Sequence, residues 1–132
     1  MTTRTPLVYI AAPYQKRDQA ARVMELLEEN GISVTSRWLK SPDEMTDEFA
    51  RQDLADIECA DLLLALNYAE FENSGTGGRH VELGYALALG KAVLLVGNVS
   101  NIFHTLSIIH RIDESDNVIA SIHLVFERSH EK

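Results

Sequence analysis

Apolar positions along this chain follow two alternating rhythms. Three short stretches, Leu7 to Ala12, Asp61 to Leu66 and Ala92 to Gly97, are apolar at nearly every position. They are too short for helices and are bounded by turn residues, which predicts strands buried on both faces. Ile32 to Thr35 predicts a second strand, and Ile108 to Ile112 a weak fifth. Between them the period changes to that of a helix. Tyr14 to Asn30 carries Ala20, Val23, Met24 and Leu27 on one face and ends at Asn30-Gly31. Ser41-Pro42-Asp43-Glu44 has the cap, proline and acids of a helix start, predicting a helix to about Ala60. Its inner line is Met45, Phe49, Asp53 and Ile57. A third helix should follow the glycines at 75–78. A fourth, roughly Ser115 to Glu127, carries Val118, Ile119, Ile122, Val125 and Phe126. Ile102 to Leu106 reads as a helical turn, and the polar tail Arg128 to Lys132 as a frayed end.

Strands alternating with helices predict a parallel sheet covered on both faces. The fold class is therefore α/β: one doubly wound, flavodoxin- or Rossmann-like domain spanning residues 1–132, with roughly five parallel strands. Right-handed crossovers place the strand C-termini on one edge. The loops after Ala12, Thr35, Leu66 and Gly97 should open there.

Composition narrows the function. The chain has 132 residues, 45% hydrophobic and 24% charged, which suits an ordinary globular core. A net charge of −8 argues against a nucleic-acid polymer as partner, because phosphate backbones need clustered Lys and Arg. A small anionic ligand held by local groups stays open. No apolar run is long enough to span a membrane, and Met1 to Pro6 lacks the apolar segment of a signal peptide. With one cysteine, Cys59, read as a helix-packing residue, the expected location is the cytoplasm.

The chemistry concentrates between Ser74 and Lys91. Gly75-Thr76-Gly77-Gly78 permits a tight turn and close approach to a ligand, and the helix behind it favours an anion. Thr76 and the Gly77–Gly78 amides suit a phosphate; a tight turn without a ligand is the alternative. G-x-G-x-x-G and the P-loop are both absent. His80 and Glu82 lie two apart, on different helix faces, and the five histidines show no ligand spacing, so no metal or other cofactor is expected. Glu82 lies on the helical line of Gly78, Tyr85, Ala86 and Leu89, which should face the protein. Asp53 interrupts the apolar line of the preceding helix; alternatively it leans to the edge and pairs with Arg51 or solvent. Two inward carboxylates flanking one strand suit glycosyl transfer, one attacking the anomeric carbon while the other assists the leaving group.

These residues resemble the nucleoside 2-deoxyribosyltransferase family and its relatives, the 2′-deoxynucleoside 5′-phosphate N-hydrolases. The matching segments are Val8-Tyr9-Ile10-Ala11-Ala12-Pro13, Asp53 with Ala60-Asp61, and Thr76-x-Gly78-x-x-x-Glu82-Leu83-Gly84-Tyr85-Ala86 leading to Gly90-Lys91. The resemblance implies Glu82 as the nucleophile that forms a covalent deoxyribosyl-enzyme, Asp53 as the proton carrier at the base, and Tyr9 as the residue orienting the glutamate. Packing within the first strand is the other role open to Tyr9. The transferases usually carry an aspartate six residues before the nucleophile; here Thr76 stands there, which favours a phosphate over a free 5′-hydroxyl. After the first strand the chain departs from the hydrolases' glycine-rich loop, leaving Lys16 and Arg17 as phosphate ligands or helix-surface charges. Family dimers imply a homodimer with shared sites, to which His104 and Asn101 would contribute by position. Arg37 and Trp38 would contact the base or cap the core. The expectation is a deoxyribonucleoside 5′-monophosphate N-hydrolase acting on a small-molecule nucleotide. Base exchange between deoxynucleosides and a non-catalytic nucleotide sensor are the alternatives.

Overall fold

The computed structural model describes residues 4–41 and 44–129. The strands β1 (Leu7–Ala11), β2 (Ser33–Val34), β3 (Leu62–Asn67), β4 (Ala92–Gly97) and β5 (Ile109–Ile112) form one sheet in the order β2-β1-β3-β4-β5, every pairing parallel. The helices are α1 (Arg17–Glu29), α2 (Asp47–Glu58), α3 (Gly78–Ala88) and α4 (Val118–Ser129). The chain winds from β1 outward to β2, then returns past β1 to build β3, β4 and β5. Its direction reverses between β1 and β3, the place where such sheets open a crevice at their C-terminal edge.

The apolar strands are the centre of the core. Val8 to Ala11 of β1, all of β3 and Val93 to Val96 of β4 are buried. Val8 lies opposite Leu62 and Ala11 opposite Ala65, so β1 ends two residues short of the tip of β3 at Asn67. On one face α2 packs beside α3. On the other, Val23 and Leu26 of α1 share a groove with Val118 and Ile119 of α4. These placements follow from right-handed crossovers on either side of β1.

Several local expectations change. The first helix divides into a 3-10 turn at Tyr14–Lys16 and α1 from Arg17. β2 is only two residues long: Thr35 N–H still donates to the Val8 carbonyl, but beyond it the Ile10 N–H donates to the Ser36 side-chain Oγ instead of to main chain. The helix start expected at Ser41 includes Pro42 and Asp43, which lie outside the described residues. α2 begins instead at Asp47, with Thr46 Oγ1 accepting from Phe49 N–H and Asp47 and Glu48 in the first turn. Met45 therefore precedes the helix and is 98% exposed rather than inward. Cys59 is exposed at the end of α2, not packed. A 3-10 turn at Ala69–Phe71 has no counterpart in the sequence reading. α4 starts at Val118; of the expected frayed tail, residues 130–132 lie outside the described residues.

Gly97 closes the β3–β4 ladder opposite Asn67 at φ +107°, and a Cβ built there would lie 2.3 Å from the Asn67 carbonyl oxygen. Gly97→Ala is accordingly expected to cost about 3 kcal/mol, combining backbone strain with a clash against main chain. Urea unfolding measures it, and an unchanged midpoint would contradict this account.

Candidate active site

The sheet edge brings four segments together around a cavity of about 630 Å³. The loop after β1 contributes Ala12, Pro13, Tyr14 and Gln15; Trp38 follows β2; residues 44–47, 49, 50 and 53 come from the start of α2; and residues 75–79 with Glu82 come from the glycine turn and α3. The loop after Gly97, expected on the same edge, does not line it. Asn67 takes that loop instead, its amide donating to the Asn98 carbonyl.

Glu82 stands at the beginning of the second turn of α3, half-buried, and Asp53 faces the same cavity from α2. Tyr9 reaches them from inside the sheet. It is fully buried in β1, and its hydroxyl donates to Glu82 Oε2 at 2.5 Å. Burial foremost, then the negative charges of Glu82 and Asp53, push the Tyr9 hydroxyl well above its ordinary value of 10.0. Tyr9 therefore stays a protonated donor at neutral pH and fixes one carboxylate oxygen of Glu82. Arg51 pairs with Asp47 one helical turn away at 2.7 Å, so the surface pairing of Arg51 with Asp53 is not formed.

The glycine turn shapes the opposite wall. Gly75 and Gly77 adopt φ +82° and +95°, and Gly77 is the N-cap of α3 with no side chain capping the helix. Gly77, Gly78 and Arg79, at the start of α3, line the cavity beside Thr76. Trp38 lines the cavity through its ring, while its indole N–H donates to the Ile10 carbonyl at 3.0 Å. Tyr14 lies beside it, ring centroids 6.2 Å apart.

Arg37, His104 and Asn101 do not line this cavity; for His104 and Asn101 the expected site was that of a second copy. Arg37 is held by Asp56: its main-chain N–H donates to Oδ2 and its Nε to Oδ1, and the ion pair closes at 2.8 Å. His104 and Asn101 sit behind the α3 N-terminus with His80. The two histidine rings are 5.5 Å apart, and His104 Nδ1 accepts from Ser100 N–H. Neither His104 nor Asn101 lines the cavity of its own chain. Burial, then His80 and Arg79, hold His104 below the ordinary 6.5, and burial with Arg79 does the same for His80. The unfolded chain then binds these protons first, so stability should fall as pH drops through 6.5. Melting temperatures from pH 7.5 to 5.5 should show a shallower slope in His104→Asn than in the natural chain. Parallel slopes would refute the coupling.

The family model for nucleoside 2-deoxyribosyltransferase matches residues 8–119. The chain belongs to the nucleoside 2-deoxyribosyltransferase family. Membership makes it an enzyme of the N-glycosyl hydrolase or deoxyribosyltransferase kind. The match takes in both carboxylates, Tyr9 and the glycine turn. Among curated proteins no sequence matches significantly. Among solved structures, the CMP N-glycosidase BcmB of Clostridium botulinum aligns with a TM-score of 0.62 at 24% identity, covering 89% of this chain and 98% of its own. The 2-desoxiribosyltransferase of Leishmania mexicana aligns at 0.61 and 16%, covering 96% and 99%. At these identities the likeness is one of fold, and two different reactions are represented in it. Among the described residues no helix of this family member is long and apolar enough to cross a membrane. None of its described His, Cys, Asp and Glu side chains form a group of three that could hold a metal ion.

Sequence reasoning missed three contributors. Asp56, buried in α2, organises the loop through Arg37. Gln15 and Arg79 line the cavity. A signal for Arg79 was present: it precedes Glu82 by three, the spacing that puts two side chains on one helix face.

Proposed function

We propose that the protein hydrolyses the N-glycosidic bond of 2′-deoxyribonucleoside 5′-monophosphates, releasing the free base and deoxyribose 5-phosphate. The observation that carries this is the Tyr9–Glu82 hydrogen bond, which aims an oriented carboxylate into a cavity shared with Asp53 and an uncapped glycine turn. A Glu82 oxygen attacks C1′ as the C1′–N bond breaks. The bonding pair goes to the base nitrogen, and Asp53 supplies the proton that neutralises the departing base. Water then attacks C1′ of the glutamyl ester, Asp53 takes up its proton, and Glu82 is released as a carboxylate. Tyr14 and Trp38 offer aromatic surface to the base.

Thr76 and the leading amides of α3 favour a phosphate at the 5′ end, since hydroxyl and N–H donors complement an anion that an aspartate would repel. Transfer of deoxyribose to a second base is the rival outcome of the same covalent intermediate. Chromatography of a panel of deoxynucleoside monophosphates and deoxynucleosides, each with and without an acceptor base, tests the proposal. Free base released from monophosphates in water alone is expected. Products from nucleosides only in the presence of an acceptor would make the protein a transferase. Absence of any product would leave a nucleotide sensor.

The proposal extends to a homodimer. Ile102, Phe103 and Ile108 are each more than 60% exposed around Asn101 and His104, an apolar surface suited to a second copy. Light scattering should return twice the 14.8 kDa chain mass, and a monomer would refute it.

A further inference from the structure

Arg79 occupies a position that a cation does not ordinarily favour. It stands in the first turn of α3, where its charge opposes the positive end of the helix dipole. It is half-buried, and burial lowers its pKa, the sign of a charge that has lost water without gaining a counter-charge. Its Nη1 donates to the Ser74 carbonyl at 2.8 Å, but its Nε is buried and donates to no described group. The ion pairs among the described residues involve Arg4, Arg37, Lys40 and Arg51, not Arg79. Carboxylates are not scarce, with 20 Asp and Glu against 12 Lys and Arg.

The surrounding backbone makes room for this arrangement. A Cβ at Gly75 would lie 3.2 Å from Pro13 Cβ and 3.3 Å from Arg79 Nη1, so the glycine lets the loop after β1 and the start of α3 close around the guanidinium. Arg79 and Glu82 are three residues apart on one helix face, a spacing that favours pairing. The Ser74 carbonyl draws Arg79 back towards the turn, while Tyr9 holds Glu82. Arg79, Thr76 and the start of α3 thus line the same cavity as Glu82.

We propose that Arg79 anchors the 5′-phosphate of the substrate and sets the preference of this protein for nucleotides over nucleosides. This rests on the nucleotide reading given above. A planar guanidinium with its remaining N–H groups directed to two phosphate oxygens forms a charge-assisted fork that a nucleoside hydroxyl cannot replace. The bound anion also reverses the unfavourable position of Arg79 at the helix end.

The test compares kcat/KM for a deoxynucleoside monophosphate with that for its matching deoxynucleoside, in the natural chain, Arg79→Gln and Arg79→Lys. Arg79→Gln should reduce the monophosphate-to-nucleoside ratio by about 10- to 100-fold, through KM more than kcat. Arg79→Lys should restore part of the ratio by returning the charge without the fork. A ratio unchanged in Arg79→Gln overturns the proposal, whether both substrates lose activity together or neither does. Calorimetry with deoxyribose 5-phosphate reads the same contact without turnover. The natural chain should bind it at least about tenfold more tightly than Arg79→Gln; equal binding, or none to the natural chain, overturns the anchor. Arg79-dependent binding without turnover of any substrate would sink the hydrolase reading and leave the anchor standing. Hydrolysis of monophosphates with an unchanged ratio would do the reverse.

Discussion

Glu82→Ala should lower base release by about four orders of magnitude or more, the scale seen when a covalent nucleophile is removed. The fold should survive, because Glu82 is only half-buried at the cavity and contributes no apolar packing. Glu82→Gln sharpens the test. An amide oxygen still accepts from Tyr9, so shape and hydrogen bond are kept while the charge that attacks C1′ is lost. Both variants should be comparably inactive with normal circular dichroism. If Glu82→Gln retained activity within tenfold of the natural chain, Glu82 would be a binding residue and the covalent intermediate would have to be abandoned.

The second large effect is expected at Asp53. Asp53→Asn removes a group that exchanges protons while preserving size, and general acid catalysis of this kind is worth about 10²- to 10⁴-fold. The loss should depend on the leaving group. A substrate whose base already carries a positive charge through N-alkylation leaves without protonation, so Asp53→Asn should recover most of the natural rate with it. The same fractional loss on neutral and cationic bases would show that Asp53 acts on binding or on the position of Glu82, not on the departing base. Asp53 contributes to the raised pKa of Tyr9, which places the two carboxylates and the tyrosine in one electrostatic unit. Double substitutions within it should therefore be strongly non-additive.

The alternation of buried strands with periodic helices was legible because each element carries its own burial pattern. β1, β3 and β4 are apolar throughout since both sheet faces are covered, and the amphipathic period of α1 puts Ala20, Met24 and Leu27 inside. The glycine turn and the inward Glu82 were likewise local signals, and the segments matching the family lie within the stretch its model covers. The start of α2 was less secure. The cap-like Ser41 pointed to a start there, whereas in the fold Thr46 Oγ1 accepts from Phe49 N–H and begins the helix.

Tertiary structure alone decided the contacts between distant segments. The sequence of strands does not state their spatial order, so the reversal at β1 and β3 emerges only when the crossovers pack. Arg37 looked available for a ligand until Asp56, 19 residues away, took its guanidinium. The indole N–H of Trp38 is committed to the carbonyl of Ile10, and His104 turns in towards Ser100 and His80, away from the cavity of its own chain. Arg79 is the converse case, a charge that no local pattern singled out and that is half-buried without a carboxylate partner among the described residues. The physical reason is common to all four. Burial pattern is encoded near each residue, whereas the partner of a polar side chain depends on which segments the fold brings within hydrogen-bond range.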